Sequence, residues 1–210
     1  MKKLLIFDMD DTLFETRSIP QSAIQGVLDL VRPLINQQYS GETVEQILFD
    51  LWRHPFDQVA KTYAFGSDIH SGFVQAMQQA DFNLDIQTFD DYPIVQALPH
   101  TKMLVTTGFL KLQQAKIQAL ALAPDFEEIH IDDILAPDRM YKKGIFTDIL
   151  RRHPFEKSSV YVIGDNPRSE LTAAKELQLV SIQIAKFGQE RSKQADHFIE
   201  SFKELEAIIG

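Results

Sequence analysis

The sequence predicts an α/β fold, a doubly wound parallel sheet with a helical unit inserted after its first strand. Three observations predict it. Short apolar runs ended by turn residues occur at Leu4 to Phe7, Met103 to Val105, Val160 to Ile163 and Val180 to Ile184, and each reads as a buried strand. Helical periods separate the later runs, the alternation expected of βαβ units and a parallel sheet. Between the first two runs lies a long block with helical periods and no strand alternation.

Taken in order, Leu4-Leu5-Ile6-Phe7 stops at an acid, and Asp8, Asp10 and Asp11 crowd the turn beyond it. Ser18 to Pro20 breaks the chain. Ile24, Val27, Leu28, Val31, Leu34 and Ile35 then share a helical face, and Pro33 is expected to kink or end that helix. Thr43 with Gln46 suggests a capping box opening a second helix, whose apolar face is Val44, Ile47, Leu48, Leu51 and Trp52. Pro55 stops it. Phe56, Val59, Ala60 and Tyr63 suggest a third helix, and Phe73, Val74 and Met77 a fourth. Residues 15–92 therefore read as the helical insert, and residues 1–14 with 93–210 as the sheet domain.

The strand at Met103 ends in Thr106-Thr107-Gly108, and Leu112, Ala115, Lys116, Ala119 and Leu120 suggest the helix after it. Glu128 to Ile131 is a weaker strand. Lys142-Lys143-Gly144 precedes a helix marked by Phe146, Ile149 and Leu150. The strand at Val160 ends in Gly164-Asp165, and a helix with Leu171, Ala174 and Leu177 follows. After the strand at Val180, a terminal helix holds Phe202, Leu205, Ile208 and Ile209. No internal repeat or low-complexity segment interrupts this order.

Composition narrows the function. A formal charge of −9 argues against nucleic acid as a partner, because phosphate-backbone binders are basic. With no cysteine, disulfides, thiol catalysis and Cys-zinc sites are excluded. The six histidines include no pair at ligand spacing, so none is expected to hold a metal. Lys2 and Lys3 precede too short an apolar run for a signal peptide or membrane span. The expectation is a cytoplasmic protein that engages no membrane.

The chemistry gathers at strand ends, where open α/β sheets bind ligands. Asp8 and Asp10 are two apart, which in a regular strand places them on one face. Two close carboxylates raise one another's pKa. Mg²⁺ removes that penalty, being a hard cation that takes carboxylates and substrate phosphate. Asp165 adds a third anionic ligand, and Lys142 or Lys143 offsets the remaining charge. Thr106 offers a hydroxyl and a backbone N–H to a phosphate oxygen; with Thr107 and Gly108 it makes the expected substrate-binding turn. Any one of these pieces is an ordinary turn or solvated linker. Their order, each at a strand end or helix start, is what points to a site.

In these residues the sequence resembles the haloacid dehalogenase-like (HAD) hydrolases. That family's first motif, DxDx[TV] after an apolar strand, reads here Asp8-Met9-Asp10-Asp11-Thr12. Its second, a strand ending in Thr or Ser, is matched by LVTTG at Thr106. Its third, a Lys ahead of a helix, is matched by Lys142 or Lys143. Its fourth, GDxxxxD, reads Gly164-Asp165-Asn166-Pro167-Arg168-Ser169-Glu170, with Glu where Asp is usual.

The resemblance implies a Rossmann-like core in which Asp8 attacks phosphorus to form an aspartyl-phosphate. It implies that Asp10 acts as general acid and then base. It places Mg²⁺ on Asp8, the backbone carbonyl of Asp10 and Asp165, with Glu170 orienting a metal water or the Lys. Thr106 and a Lys would bind the transferring phosphoryl oxygens, and Asp11 would be a turn residue. The insert would be a cap that selects a small phosphorylated metabolite, with Arg17, Arg53, His54, Lys61 and Tyr63 as candidate contacts. The implied activity is a Mg²⁺-dependent phosphatase. A phosphomutase, a non-enzymatic binding protein on the same scaffold, and a dehalogenase are the alternatives, and Asp10 speaks against the last.

Overall fold

The computed structural model describes residues 2–210 and divides into two units, Met1–Thr16 with Ile86–Gly210, and Arg17–Asp85. The second unit is helical: α1 (Gln25–Ile35), α2 (Glu42–Arg53), α3 (Phe56–Thr62) and α4 (Ser67–Gln79). Its core joins Val27, Leu28, Val31 and Ile35 of α1 to the buried faces of α2 and α4. Pro33 lies in the last turn of α1, which ends at Ile35. The expected capping box at Thr43 does not form. Gly41 is the N-cap of α2, at φ +61°, a left-handed turn that suits glycine, and no side chain caps the helix.

The first unit is built on β1 (Leu4–Phe7), β2 (Thr101–Gly108), β3 (Glu128–Asp133), β4 (Val160–Gly164), β5 (Val180–Ile184) and β6 (His197–Ile199). They form one sheet in the order β3-β2-β1-β4-β5-β6, with every neighbouring pair parallel. Around it lie α5 (Tyr92–Ala97), α6 (Leu110–Ala119), α7 (Tyr141–Arg152), α8 (Glu170–Leu177) and α9 (Leu205–Ile209). Central β1 is covered on both faces, so it is continuously apolar rather than alternating. Leu4 and Ile6 join Met103, Val162, Phe146 and Ile149 on one side. Phe7 meets the rings of Phe126 and Phe202 edge-on, with centroids 6.1 and 6.3 Å away.

The structure departs from the sequence reading at further places. The division falls at Asp85/Ile86, so Ile86–Tyr92 goes with the sheet. Helix α5 was not anticipated. Pro93 sits in its first turn, where a missing N–H costs nothing, and the buried Lys102 ammonium donates to the carbonyls of Val95 and Gln96 at its end, at 2.9 and 2.7 Å. In α6 the buried face is Gln113, Lys116, Ile117 and Leu120, one step round the helix from the expected Leu112 and Ala115.

The strand register sets the site. Phe7 pairs with Leu104 and Ile163, and the Asp8 N–H donates to the Ile163 carbonyl at 2.9 Å. The ends of β1, β2 and β4 thus lie side by side. Strand order reverses at β1, the position where such sheets open a crevice.

Asp91 ties three loops of this unit together. Its carboxylate accepts from Lys186 Nζ at 2.6 and 2.7 Å, from Ser201 Oγ at 2.8 Å and from the Phe202 N–H at 2.9 Å. Burial pushes its pKa up, but Lys186, Ser201 and Phe202 outweigh burial and hold it below the usual value. Asp91→Asn is expected to cost about 1–3 kcal/mol in urea unfolding at pH 7. A lowered folded pKa means that this stabilisation is complete above the unfolded value of about 3.9. It is lost as pH falls through the folded value, so the gap between wild type and variant closes in acid. A gap unchanged between pH 7 and pH 3 contradicts this role.

Candidate active site

Three strand ends and three helices deliver the polar groups. Asp8 follows β1, Thr106 lies near the end of β2, and Asp165 follows β4. Strand β1 stops at Phe7, so the alternation expected to put Asp8 and Asp10 on one face does not reach them. The two carboxylates take different partners.

Asp8 is buried, and its Oδ1 lies 2.7 Å from Lys142 Nζ. The same ammonium donates to Glu170 Oε2 at 2.8 Å. Lys142 is itself buried, at the start of α7. Burial lowers its pKa, but Asp8 and Glu170 overcome that and raise it, so it stays charged. Tyr141, just before it, has φ +55°, a conformation that bulky residues adopt only when surroundings hold them there. The Arg139 guanidinium stacks over Tyr141 at 4.4 Å and binds Asp132 with two 2.8 Å hydrogen bonds. Lys143 points elsewhere. It is exposed and pairs with Glu176 at 2.8 Å, because consecutive helical residues project about 100° apart. Of the two expected lysines, Lys142 alone faces the site.

Glu170 explains its own departure from the expected Asp. Its carboxylate reaches back from the start of α8, accepting from Lys142 and, through Oε1, from the Asn166 N–H at 2.6 Å. A Cβ on Gly164 would meet Glu170 atoms at 2.4 to 2.7 Å, so glycine is needed where the longer acid folds over the strand. With both oxygens engaged, Glu170 orients Lys142 and the Asn166 turn.

Asp8, Asp165 and Glu170 each offer an oxygen within 4.8 Å of the others. Burial raises Asp165 to about 8, and Glu170, Asp8 and Asp11 add to it. Burial also pushes Asp8 up to about 7, despite Lys142. One lysine therefore leaves this cluster short of positive charge. The donors are all hard oxygens, the set that suits Mg²⁺. Asp8 and Asp165 are best placed to hold it, since Glu170 is already committed.

Asp10 turns to the other side. Its Oδ1 accepts from Lys116 Nζ at 2.6 Å, and its Oδ2 accepts from Gln113 Nε2 at 2.8 Å. Burial raises its pKa, but Lys116 and then Gln113 prevail and hold it low. Gln113 also donates to Thr106 Oγ1 at 2.6 Å, and Thr106 is fully buried. The sequence assigns no role to Gln113 or Lys116, although its helical pattern places Lys116 on an apolar face. A lysine in such a stripe is the one available signal.

The remaining expected residues separate. Thr107 Oγ1 donates to Asp132 at 3.0 Å, so its hydroxyl faces β3. Gly108 lies under Gln113, whose side-chain atoms would stand 2.9 to 3.1 Å from an added Cβ. Asp11, at φ +52°, accepts from the Thr16 N–H at 2.8 Å, as a turn residue does. Within the helical unit, Tyr63 donates to Asp50 at 2.7 Å, and Arg53 donates to the Arg17 carbonyl at 2.9 Å and stacks on Trp52. Arg17, His54 and Lys61 are exposed.

No family model matches the chain, and no curated protein matches its sequence. Solved structures do match. HAD-hydrolase YfnB from Bacillus subtilis, bound to magnesium, is 18% identical with a TM-score of 0.64, covering 100% of this chain and 99% of that one. A HAD phosphatase from Thermococcus onnurineus is 19% identical with a TM-score of 0.64, over 100% and 98%. A 2-haloacid dehalogenase from Pseudomonas syringae pv. Tomato DC3000 is 19% identical with a TM-score of 0.58, over 100% and 98%. The chain thus has the fold of the haloacid dehalogenase-like hydrolases. Among the described residues, no helix is long and apolar enough to cross a membrane.

The two lysines can be told apart by stability. Lys142→Met leaves Asp8 and Glu170 buried without their cation and is expected to cost about 3–5 kcal/mol in urea unfolding. Lys143→Met removes an exposed pair and should stay within about 1 kcal/mol. Equal effects would contradict the assignment.

Proposed function

We propose that this protein is a Mg²⁺-dependent phosphatase acting on a small phosphorylated metabolite through an aspartyl-phosphate on Asp8. The observation that carries the reading is the division of labour between two aspartates two residues apart. Asp8 shares Lys142 with Glu170, whereas Asp10 is held by Lys116 and Gln113. One carboxylate is thereby free to bond phosphorus while the other handles protons.

In this account an Asp8 oxygen forms a bond to phosphorus as the bond from phosphorus to the leaving oxygen breaks. Asp10 delivers a proton to that oxygen. Water then attacks the phosphorus, giving its proton to Asp10 and releasing phosphate and the Asp8 carboxylate. Held low by Lys116, Asp10 stands ready as the base. An arriving phosphoryl dianion raises its proton affinity for the acid step. Lys142 and the Thr106 N–H bind phosphoryl oxygens, so most of the work is positioning and electrostatics. Mg²⁺, when bound by Asp8 and Asp165, supplies the charge that keeps both ionised and shields the nucleophile from the phosphoryl group.

The helical unit, Arg17–Asp85, is proposed as a cap that selects the substrate. A magnesium-bound HAD-hydrolase and a HAD phosphatase among the similar structures support this reading. A dehalogenase shares the fold, but attack on carbon needs neither a second acid at Asp10 nor an acidic cluster suited to a cation.

Asp8→Asn is expected to reduce Mg²⁺-dependent hydrolysis of p-nitrophenyl phosphate to background, a loss of about 10³-fold or more. Chelation should silence the wild type, and added Mg²⁺ should restore it. Substantial turnover by the variant would sink the covalent mechanism. Return of the phosphoryl group to substrate without phosphate release would indicate a mutase instead.

A further inference from the structure

The Asp10 carboxylate sits in a cage of donors, and its two short contacts come from residues outside the four motifs. Lys116 Nζ, 2.6 Å from Oδ1, and Gln113 Nε2, 2.8 Å from Oδ2, are the short contacts. Thr16 Oγ1 and Thr106 Oγ1 add longer ones at 3.3 and 3.4 Å. Both short donors come from α6, which follows β2, and both are almost fully buried. A buried lysine and a buried glutamine on one helix face cost desolvation that an apolar pair would not.

Gln113 does more than satisfy Asp10. Its amide also donates to Thr106 Oγ1 at 2.6 Å. One planar group thereby fixes the carboxylate and the hydroxyl relative to each other across two strand ends. Gly108 leaves room for it, since any Cβ there would collide with the Gln113 side chain. The Lys116 ammonium also lies 5.8 Å from the Phe14 ring centroid.

We propose that Lys116 and Gln113 are positioning residues that hold the Asp10 carboxylate toward the leaving-group oxygen of the substrate. They act through Asp10 and touch no reacting atom. The inference rests on the phosphatase reading and adds to it a pair of residues outside the four motifs. It predicts a specific kinetic signature. Proton delivery matters most for a poor leaving group and little for a good one, and general acid catalysis contributes about 10²–10⁴-fold. Lys116→Met should lower kcat/KM for alkyl phosphates by about 10–100-fold. For p-nitrophenyl phosphate, whose leaving group departs without a proton, the loss should stay within about 3-fold.

The test is kcat/KM for a series of aryl and alkyl phosphates of graded leaving-group pKa, using wild type, Lys116→Met, Lys116→Arg and Gln113→Leu with Mg²⁺ present. The expected result is a steeper dependence on leaving-group pKa in Lys116→Met and Gln113→Leu, with partial recovery in Lys116→Arg. Should Lys116→Met fail to fold, Gln113→Leu carries the same comparison. Equal loss across the whole series, or no loss, overturns the positioning role while leaving the phosphatase reading standing. Absence of phosphate release from every ester by the wild type overturns that reading and the inference with it.

Discussion

The Lys142 ammonium, shared between Asp8 and Glu170 in the protein interior, is the interaction on which the rest of the site depends. Two buried carboxylates, one just after β1 and one at the start of α8, repel, and neither can hydrate. A single cation at 2.7 and 2.8 Å makes the arrangement tolerable. Several otherwise unrelated features serve it. Tyr141 takes a left-handed backbone to bring Lys142 inward, Arg139 and Asp132 brace that turn, and Gly164 makes space for Glu170. Even so, burial and the neighbouring acids Glu170, Asp8 and Asp11 raise Asp165 to about 8.

The site separates its charges into two groups. Lys142 serves Asp8 and Glu170 on the β4 side, and Lys116 serves Asp10 on the α6 side. Asp8 and Asp10 have opposite shifts, one raised by burial and one lowered by a close ammonium. The same separation explains why the α6 face rotates from its apolar prediction. Burying Gln113 and Lys116 is favourable only because Asp10 and Thr106 await them.

The sheet was legible because central strands announce themselves. Leu4 to Phe7 and Val160 to Ile163 are apolar throughout, and the turns that follow carry the acids. The helical unit was equally legible from its periodicity, apart from the start of α2, where Gly41 replaces the capping box read at Thr43. Helix α5 was hidden because it is only six residues long and carries a proline in its first turn. Within the site, Asp8, Thr106 and Asp165 follow directly from strand ends. Lys142 and Lys143 could not be separated until the phase of α7 was known. Gln113 and Lys116 were hidden for a deeper reason: their partner Asp10 lies far away in sequence, and a polar residue buried for a distant partner looks like a surface residue in a one-dimensional pattern.

Covalent chemistry at Asp8 is the central claim, and trapping tests it most directly. Protein quenched in acid during turnover of a phosphate ester, then digested and analysed by mass spectrometry, should carry one phosphoryl group on the peptide containing Asp8. The same experiment with Asp8→Asn should show none. A phosphoryl group on any other residue, or phosphate released at the wild-type rate by Asp8→Asn, would contradict the account.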